Sequence, residues 1–172
     1  RILEIGSFEG RSSTWLIENA FKEVNQDTEI VCIDTWQGGE EHDAETMSGS
    51  FDRFKHNINI ALGKRSGENI KVTIIQQPSY DGLKDPSLEK KSFDFVYIDG
   101  SHVAADVITD ACMSWPLVKI GGIMVFDDYE WGQPIPDTHK PKMAIDAFRS
   151  IYKEKLMVLH KGYQVVIQKV MT

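Results

Sequence analysis

The sequence predicts an α/β three-layer sandwich, in which a mostly parallel seven-stranded sheet is finished by a C-terminal antiparallel hairpin. Three observations lead there. Short apolar runs that suit strands buried on both faces alternate with stretches of helical periodicity. Several of these runs stop at a glycine or an acid. The last two runs meet at Lys161-Gly162 with no helix between them, which reads as a hairpin following five βα-type units.

The elements follow in order. Ile2-Leu3-Glu4-Ile5, stopped by Gly6, reads as the first strand. Ser12, Ser13 and Thr14 offer capping hydroxyls to a helix along which Leu16, Ile17, Ala20, Phe21 and Val24 recur at helical spacing. Ile30-Val31-Cys32-Ile33 is the second strand and ends at Asp34. The polar stretch from Thr35 to about Ser50 reads as a loop, and Met47, Phe51, Phe54, Ile58 and Leu62 then predict an amphipathic helix. Val72 to Ile75 is the third strand, and Phe93 to Ile98 the fourth, closing on Asp99-Gly100. Val103, Val107, Ile108, Ala111 and Trp115 mark the next helical face, which Pro116 discourages from continuing. Gly121-Gly122 turns the chain into a fifth strand, Ile123 to Phe126, ending on Asp127-Asp128. After a Pro-rich connection from Gln133 to Lys142, a helix is expected from Met143 to about Lys155, with hairpin strands at Met157 to His160 and Tyr163 to Lys169.

A length of 172 residues suits one domain over residues 1–172. The chain enters its first strand at Ile2 with no initiator Met, so it reads as lacking an N-terminal segment. Its 19 Lys and Arg against 26 Asp and Glu give a net charge of −7, which repels phosphate backbones and argues against a nucleic-acid partner. No apolar run approaches the roughly 20 residues needed to cross a bilayer, so no membrane partner and a cytoplasmic location are expected. An exposed sheet edge or an exchanged loop would support a homodimer. Cys32 and Cys112 lack metal-type spacing and are expected as small buried hydrophobes.

In an open parallel sheet, ligands bind beyond the carboxyl ends of the strands, near the topological switch point. The polar residues there are Glu4 to Gly10, Asp34, Ser79, Asp99 to His102, and Asp127-Asp128. Gly6 and Gly10 bracket a strand-to-helix turn that lets backbone approach a ligand, although the same turn can serve structure alone. The spacing is not the dinucleotide pattern G-x-G-x-x-G, and Glu9 would oppose a pyrophosphate held in the turn. A nicotinamide-dependent oxidoreductase is therefore disfavoured. Asp34 can accept hydrogen bonds from both ribose hydroxyls or cap a loop. Trp36 either lies against a nucleoside or covers the core edge. Ser79 contacts a base or shapes the turn around Pro78.

The glycine turn at Glu4 to Gly10, Ile33-Asp34, Tyr97-Ile98-Asp99-Gly100-Ser101-His102, and Gly121-Gly122 through Phe126-Asp127-Asp128-Tyr129 together resemble class I methyltransferases with a Rossmann-like fold. Among these the chain looks most like the small-molecule O-methyltransferase branch. The resemblance implies S-adenosylmethionine as cofactor. It implies Glu4, Gly6, Ser7 and Gly10 at the methionine end, Asp34 at the ribose and Ser79 at the adenine; Trp36 and Asp99, by their positions, are further candidate contacts. The acceptor would be a hydroxyl of a small molecule, sugar-like or natural-product-like.

If the fourth and fifth strands are neighbours at about 4.8 Å, the carboxylates of Asp99, Asp127 and Asp128 can converge on one point. Clustered carboxylates repel unless a cation or proton separates them, and oxygen-only ligands favour Mg²⁺ or another hard divalent cation. Similar catechol-type enzymes use such a cation, but Asp128 stands where they usually have Asn. Adjacent strand residues also point to opposite faces, so Asp127 and Asp128 can share a metal only if the strand ends between them. His102, three residues past Asp99, either takes the proton of an attacking hydroxyl, with Asp99 beside it, or caps the next helix. A cofactor-binding regulatory domain without catalysis is the alternative from another class.

Overall fold

The computed structural model describes residues 1–21, 28–39, 42–132 and 134–171. Its elements run β1 (Ile2–Ile5), α1 (Arg11–Asn19), β2 (Thr28–Asp34), α2 (Ala44–Met47), α3 (Ser50–Lys64), β3 (Ile70–Gln76), α4 (Ser79–Gly82), β4 (Phe93–Ile98), α5 (Ala104–Ser114), β5 (Val118–Phe126), α6 (Pro141–Ile151), β6 (Leu156–Lys161) and β7 (Val165–Lys169). The seven strands form one sheet in the order β3-β2-β1-β4-β5-β7-β6. Strands β1 to β5 pair in parallel, and β7 runs antiparallel to both β5 and β6. The expected sandwich and terminal hairpin are therefore present. The chain winds outward from β1 in one direction and from β4 in the other, which opens a crevice between their carboxyl ends.

Burial on both faces explains the continuous apolar runs. Leu3, Ile5, Val31 and Ile33 pack into a core shared with α5 and α6, including Val107, Ile145 and Phe148. Ile2, Ile30 and Cys32 point the other way into a core with Leu16, Ile17, Phe54 and Ile58 from α1 and α3. The apolar residues of β1 and β2 alternate between these two layers, which gives their runs their continuity, with Glu4 buried among them.

Several local expectations are corrected. The cap of α1 is Gly10 in a left-handed conformation, with no capping side chain, because Ser13 turns into the core. Val24 lies outside the described residues, as does Gln133. Met47 belongs to α2 and not to the following helix, and the four-residue α4 follows Pro78 where only a turn was expected. The last helix stops at Ile151, and Tyr152 stacks on Phe148 with ring centroids 4.5 Å apart. Cys32 is buried as expected, but Cys112 is exposed, since Val107, Ala111 and Ser114 take the buried side of α5.

The start of β5 is also different. Gly121-Gly122 does not precede the strand; it is a bulge within it. Val118 pairs with Phe93, but the next aligned pair is Ile123 with Phe95, so five steps along β5 match two along β4. Gly121 has φ +83°, and a side chain on Gly122 would come within 2.9 Å of Val118.

Candidate functional site

The β1–α1 turn and the end of β4 cross as closely as two backbones can. Gly6 has φ +84°, and a Cβ there would fall 2.0 Å from the Asp99 carbonyl oxygen. Only glycine fits both the conformation and the space. The crossing is tied by Gly6 N–H to Ile33 O at 2.9 Å and Asp99 N–H to Ile5 O at 2.8 Å. Asp34 closes it from the β2 side. One carboxylate oxygen accepts the backbone N–H groups of Ser7 and Phe8, both at 2.8 Å, and the other accepts that of Trp36 at 2.6 Å.

Beyond this crossing lies a cavity of about 530 Å³ walled by Gly6, Phe8, Asp34, Ser79, Asp99 and Gly100, among others. Gly6, Asp34, Ser79 and Asp99 were expected here from sequence. The remaining expected ligand residues lie outside this wall and brace it. Glu4 is fully buried and accepts the hydroxyls of Ser7, at 2.7 Å, and of Ser13. Its burial raises its pKa. Gly10 fits against the Phe54 ring, which a Cβ would meet at 3.0 Å. The expectation that Trp36 lies against a nucleoside is corrected. Its left-handed backbone turns the indole into the core, 4.6 Å from Phe51 and 4.9 Å from Phe54, where Nε1 donates to Phe8 O at 2.7 Å. Phe8, His42 and Met47 also wall the cavity; Phe8 lies within the expected turn, while nothing in the sequence marked His42 or Met47 as wall residues. His42 comes from the loop after β2 and Met47 from the end of α2.

Asp99 also lines a small recess beside the cavity, together with His102, Asp127 and Asp128. His102 Nε2 lies 2.8 Å from Asp128 Oδ2, and the imidazole packs on Trp131 with centroids 4.4 Å apart. The hydrogen bond from His102 holds Asp128 below the usual carboxylate range, with help from Tyr163. Tyr163 is itself pushed up to about 12 by that bond.

The expected three-carboxylate metal site is not assembled. Strand β5 ends at Phe126, and Asp128 adopts a left-handed φ of 56°, which directs it to His102. Asp127 is committed elsewhere: it accepts from the Tyr97 hydroxyl, from Gln164 Nε2 at 2.8 Å and from the Asp128 N–H at 2.7 Å. Among the described residues no group of three His, Cys, Asp or Glu is placed to hold a metal ion. The residues as arranged do not fit one.

Comparison with known proteins matches residues 3–129 to a family described as a methyltransferase domain. The chain belongs to this methyltransferase family. It is 30% identical over 151 residues to an uncharacterized protein, R132, of Acanthamoeba polyphaga mimivirus, covering 84% of this chain and 60% of that one. It is 27% identical over 131 residues to tapetum-specific methyltransferase 1 of Arabidopsis thaliana, covering 74% and 55%. The chain thus spans little more than half the length of these relatives. Among solved structures, the O-methyltransferase TomG of Streptomyces achromogenes, in complex with SAM, superposes with a TM-score of 0.63 at 18% identity, covering 99% of this chain and 73% of that one. Likeness at that identity establishes the shared fold. Among the described residues of this methyltransferase domain, no helix is long and apolar enough to cross a membrane.

The charge balance of the site makes a prediction about stability. Burial, then the neighbouring carboxylates of Asp127, Asp128 and Glu4, push Asp99 up to about 8. An unfolded Asp titrates near ~3.9, so between these values the native state holds a proton that the unfolded chain has released. Stability from this group is complete at the acid end of that window and is lost as pH rises towards 8. Asp110, pushed up to about 7 chiefly by burial, acts in the same direction. In urea denaturation, Asp99→Asn is expected to flatten the fall in stability from about pH 5 to 8 by ~1 kcal/mol or more. An unchanged slope in that variant would show that Asp99 ionises normally.

Proposed function

We propose that this domain binds S-adenosylmethionine and transfers its methyl group to a hydroxyl of a small molecule. The observation that carries the reading is the His102–Asp128 pair next to Asp99, which also walls the cavity behind the Gly6 crossing. When bound, the cofactor supplies an electrophilic methyl group on its sulfonium. The chain's residues do the rest.

Asp34 offers carboxylate lone pairs to the ribose hydroxyls while its bonds to Ser7, Phe8 and Trp36 keep it from turning away. Ser79 faces the base, and Gly6 admits the chain running past β4 towards the recess. His102 takes the proton of the acceptor hydroxyl, and the bound cofactor would supply the methyl group to its oxygen. Asp128 offsets the positive imidazolium that results, and Trp131 holds the ring in place. The net charge of −7 favours a small acceptor over a nucleic acid. A caffeoyl-CoA O-methyltransferase of Stellaria longipes, 26% identical over 104 residues, supports the choice of a hydroxyl. A sugar or natural-product-like acceptor fits the same chemistry.

Assistance by Mg²⁺ lies outside this scheme, because Asp127 and Asp128 are already committed to Tyr97, Gln164 and His102. Calorimetry with S-adenosylhomocysteine, in the presence of Mg²⁺ and of EDTA, with NAD⁺ as control, tests both parts. Binding of S-adenosylhomocysteine alone, with the same affinity in either buffer, is expected. No binding in either buffer overturns the cofactor reading, and binding only with Mg²⁺ restores the metal.

A further inference from the structure

We infer that Arg53 is a positioning residue that clasps two pieces of the cavity wall together and so sets how long a bound nucleoside cofactor stays. The inference rests on the cofactor reading above and names what retains the ligand once it is in place.

Arg53 stands in the first turn of α3, and each of its three guanidinium nitrogens donates a hydrogen bond. Nε donates to Glu9 Oε1 at 2.6 Å, Nη1 to Ser48 O at 2.6 Å and Nη2 to Thr46 O at 2.7 Å. The two carbonyls flank Met47, which walls the cavity. They close the end of α2, a helix of four residues and too short to pair its own last carbonyls. Gly49 then turns the chain into α3 at a left-handed φ of 73°, and a Cβ there would come within 3.3 Å of Arg53 Nη1. Glycine leaves the guanidinium its room.

Glu9 belongs to a different piece of the wall. It follows Phe8, a wall residue, in the β1–α1 turn, and its carbonyl takes a second bond from α3, from Asn57 Nδ2 at 2.9 Å. In the sequence Glu9 stands as a charge that would oppose a pyrophosphate; in the fold that charge is met by Arg53. The ion pair alone carries little, because the two side chains are 42% and 36% exposed. What matters is that one rigid, planar group ties together two segments distant in sequence. Packing adds to the clasp, since a Cβ on Gly38 would meet Met47 Cγ at 2.8 Å and the Phe8 and His42 rings lie 5.4 Å apart. A ligand that leaves past Met47 requires the clasp to part, so losing it speeds departure more than arrival. None of these residues lines the recess of His102 and Asp128, so the clasp governs retention and leaves that pair in place.

The test follows release of radiolabelled S-adenosylhomocysteine chased with an excess of the unlabelled compound, alongside calorimetric affinity and thermal melting of the free protein. Wild type, Arg53→Ala, Glu9→Ala, the double alanine variant and Arg53→Lys are compared. Each single alanine variant is expected to release the ligand about fivefold faster or more, with association changed by less than about twofold and the double variant no faster than either. Arg53→Lys is expected to release nearly as fast as Arg53→Ala, since an ammonium can meet Glu9 but cannot span both carbonyls. The melting temperature of the free protein is expected to move by no more than about 3 °C, as suits half-exposed side chains. If Arg53→Ala does not fold, Glu9→Ala and Arg53→Lys carry the same comparison. Wild-type release from either single alanine variant, additive acceleration in the double variant, full retention by Arg53→Lys, or release that merely tracks lost thermal stability would overturn the inference. Failure of wild type to bind S-adenosylhomocysteine would instead overturn the cofactor reading on which it rests.

Discussion

Replacing His102 with alanine is expected to lower kcat for methyl transfer by about 10² to 10⁴-fold, the range lost when a positioned general base is removed. Affinity for S-adenosylhomocysteine is expected to stay within about twofold of wild type, because His102 is absent from the wall of the cavity proposed for the cofactor. The split is what identifies the role. A residue that only braced the fold would lower thermal stability and cofactor affinity together with turnover. A base that acts in the transition state lowers turnover alone. The rate should also fall at acid pH, as the imidazolium forms and can no longer accept a proton. Turnover of His102→Ala close to wild type would remove the base from the mechanism and leave transfer to positioning of the acceptor.

The second large effect is expected from Gly6→Ala. The added methyl would lie 2.0 Å from the Asp99 carbonyl oxygen and 2.6 Å from Gly100 Cα, both backbone atoms that no rotamer change can move. The left-handed conformation adds its own cost for any residue with a Cβ. Relief requires the β1–α1 turn to part from β4, which separates Asp34 and Asp99, the two acids that wall the cavity from opposite sides. A loss of roughly 2 to 4 kcal/mol of stability in urea denaturation is expected, with S-adenosylhomocysteine affinity reduced by more than about 100-fold. Wild-type stability together with wild-type affinity would mean that the crossing is looser than described.

The central strands were legible because their apolar residues pack into layers on both faces of the sheet. The acids that end them were legible too, since Asp34 and Asp99 stand at the first position past a run of apolar residues. What could not be read was direction. Trp36 looked equally able to face a ligand or the core, and its φ of 55° decides for the core. Asp128 looked like a partner of Asp127, and its own left-handed backbone turns it to His102. Glu4 sits in the expected motif, yet Ser7 and Ser13 hold it inside. In each case the residue type was informative and one backbone angle, or one neighbour distant in sequence, set the outcome. His42 had no pattern to betray it, because a wall built by irregular backbone has no period. Gly121-Gly122 was recognised as punctuation, but a bulge and a turn use the same residues.

That bulge decides more than the shape of one strand. Side chains along β5 alternate between faces, so what matters is whether the surplus it inserts is odd or even. As built, the odd surplus sends Met124 and Phe126 into the core beneath α5 and α6 and delivers Asp127 and Asp128 to Tyr97 and His102. Loss of one residue there would reverse the parity of everything downstream, turning both core residues outward and taking the acid from its histidine. A single-residue gain or loss within this bulge would therefore misdirect the core and the recess together.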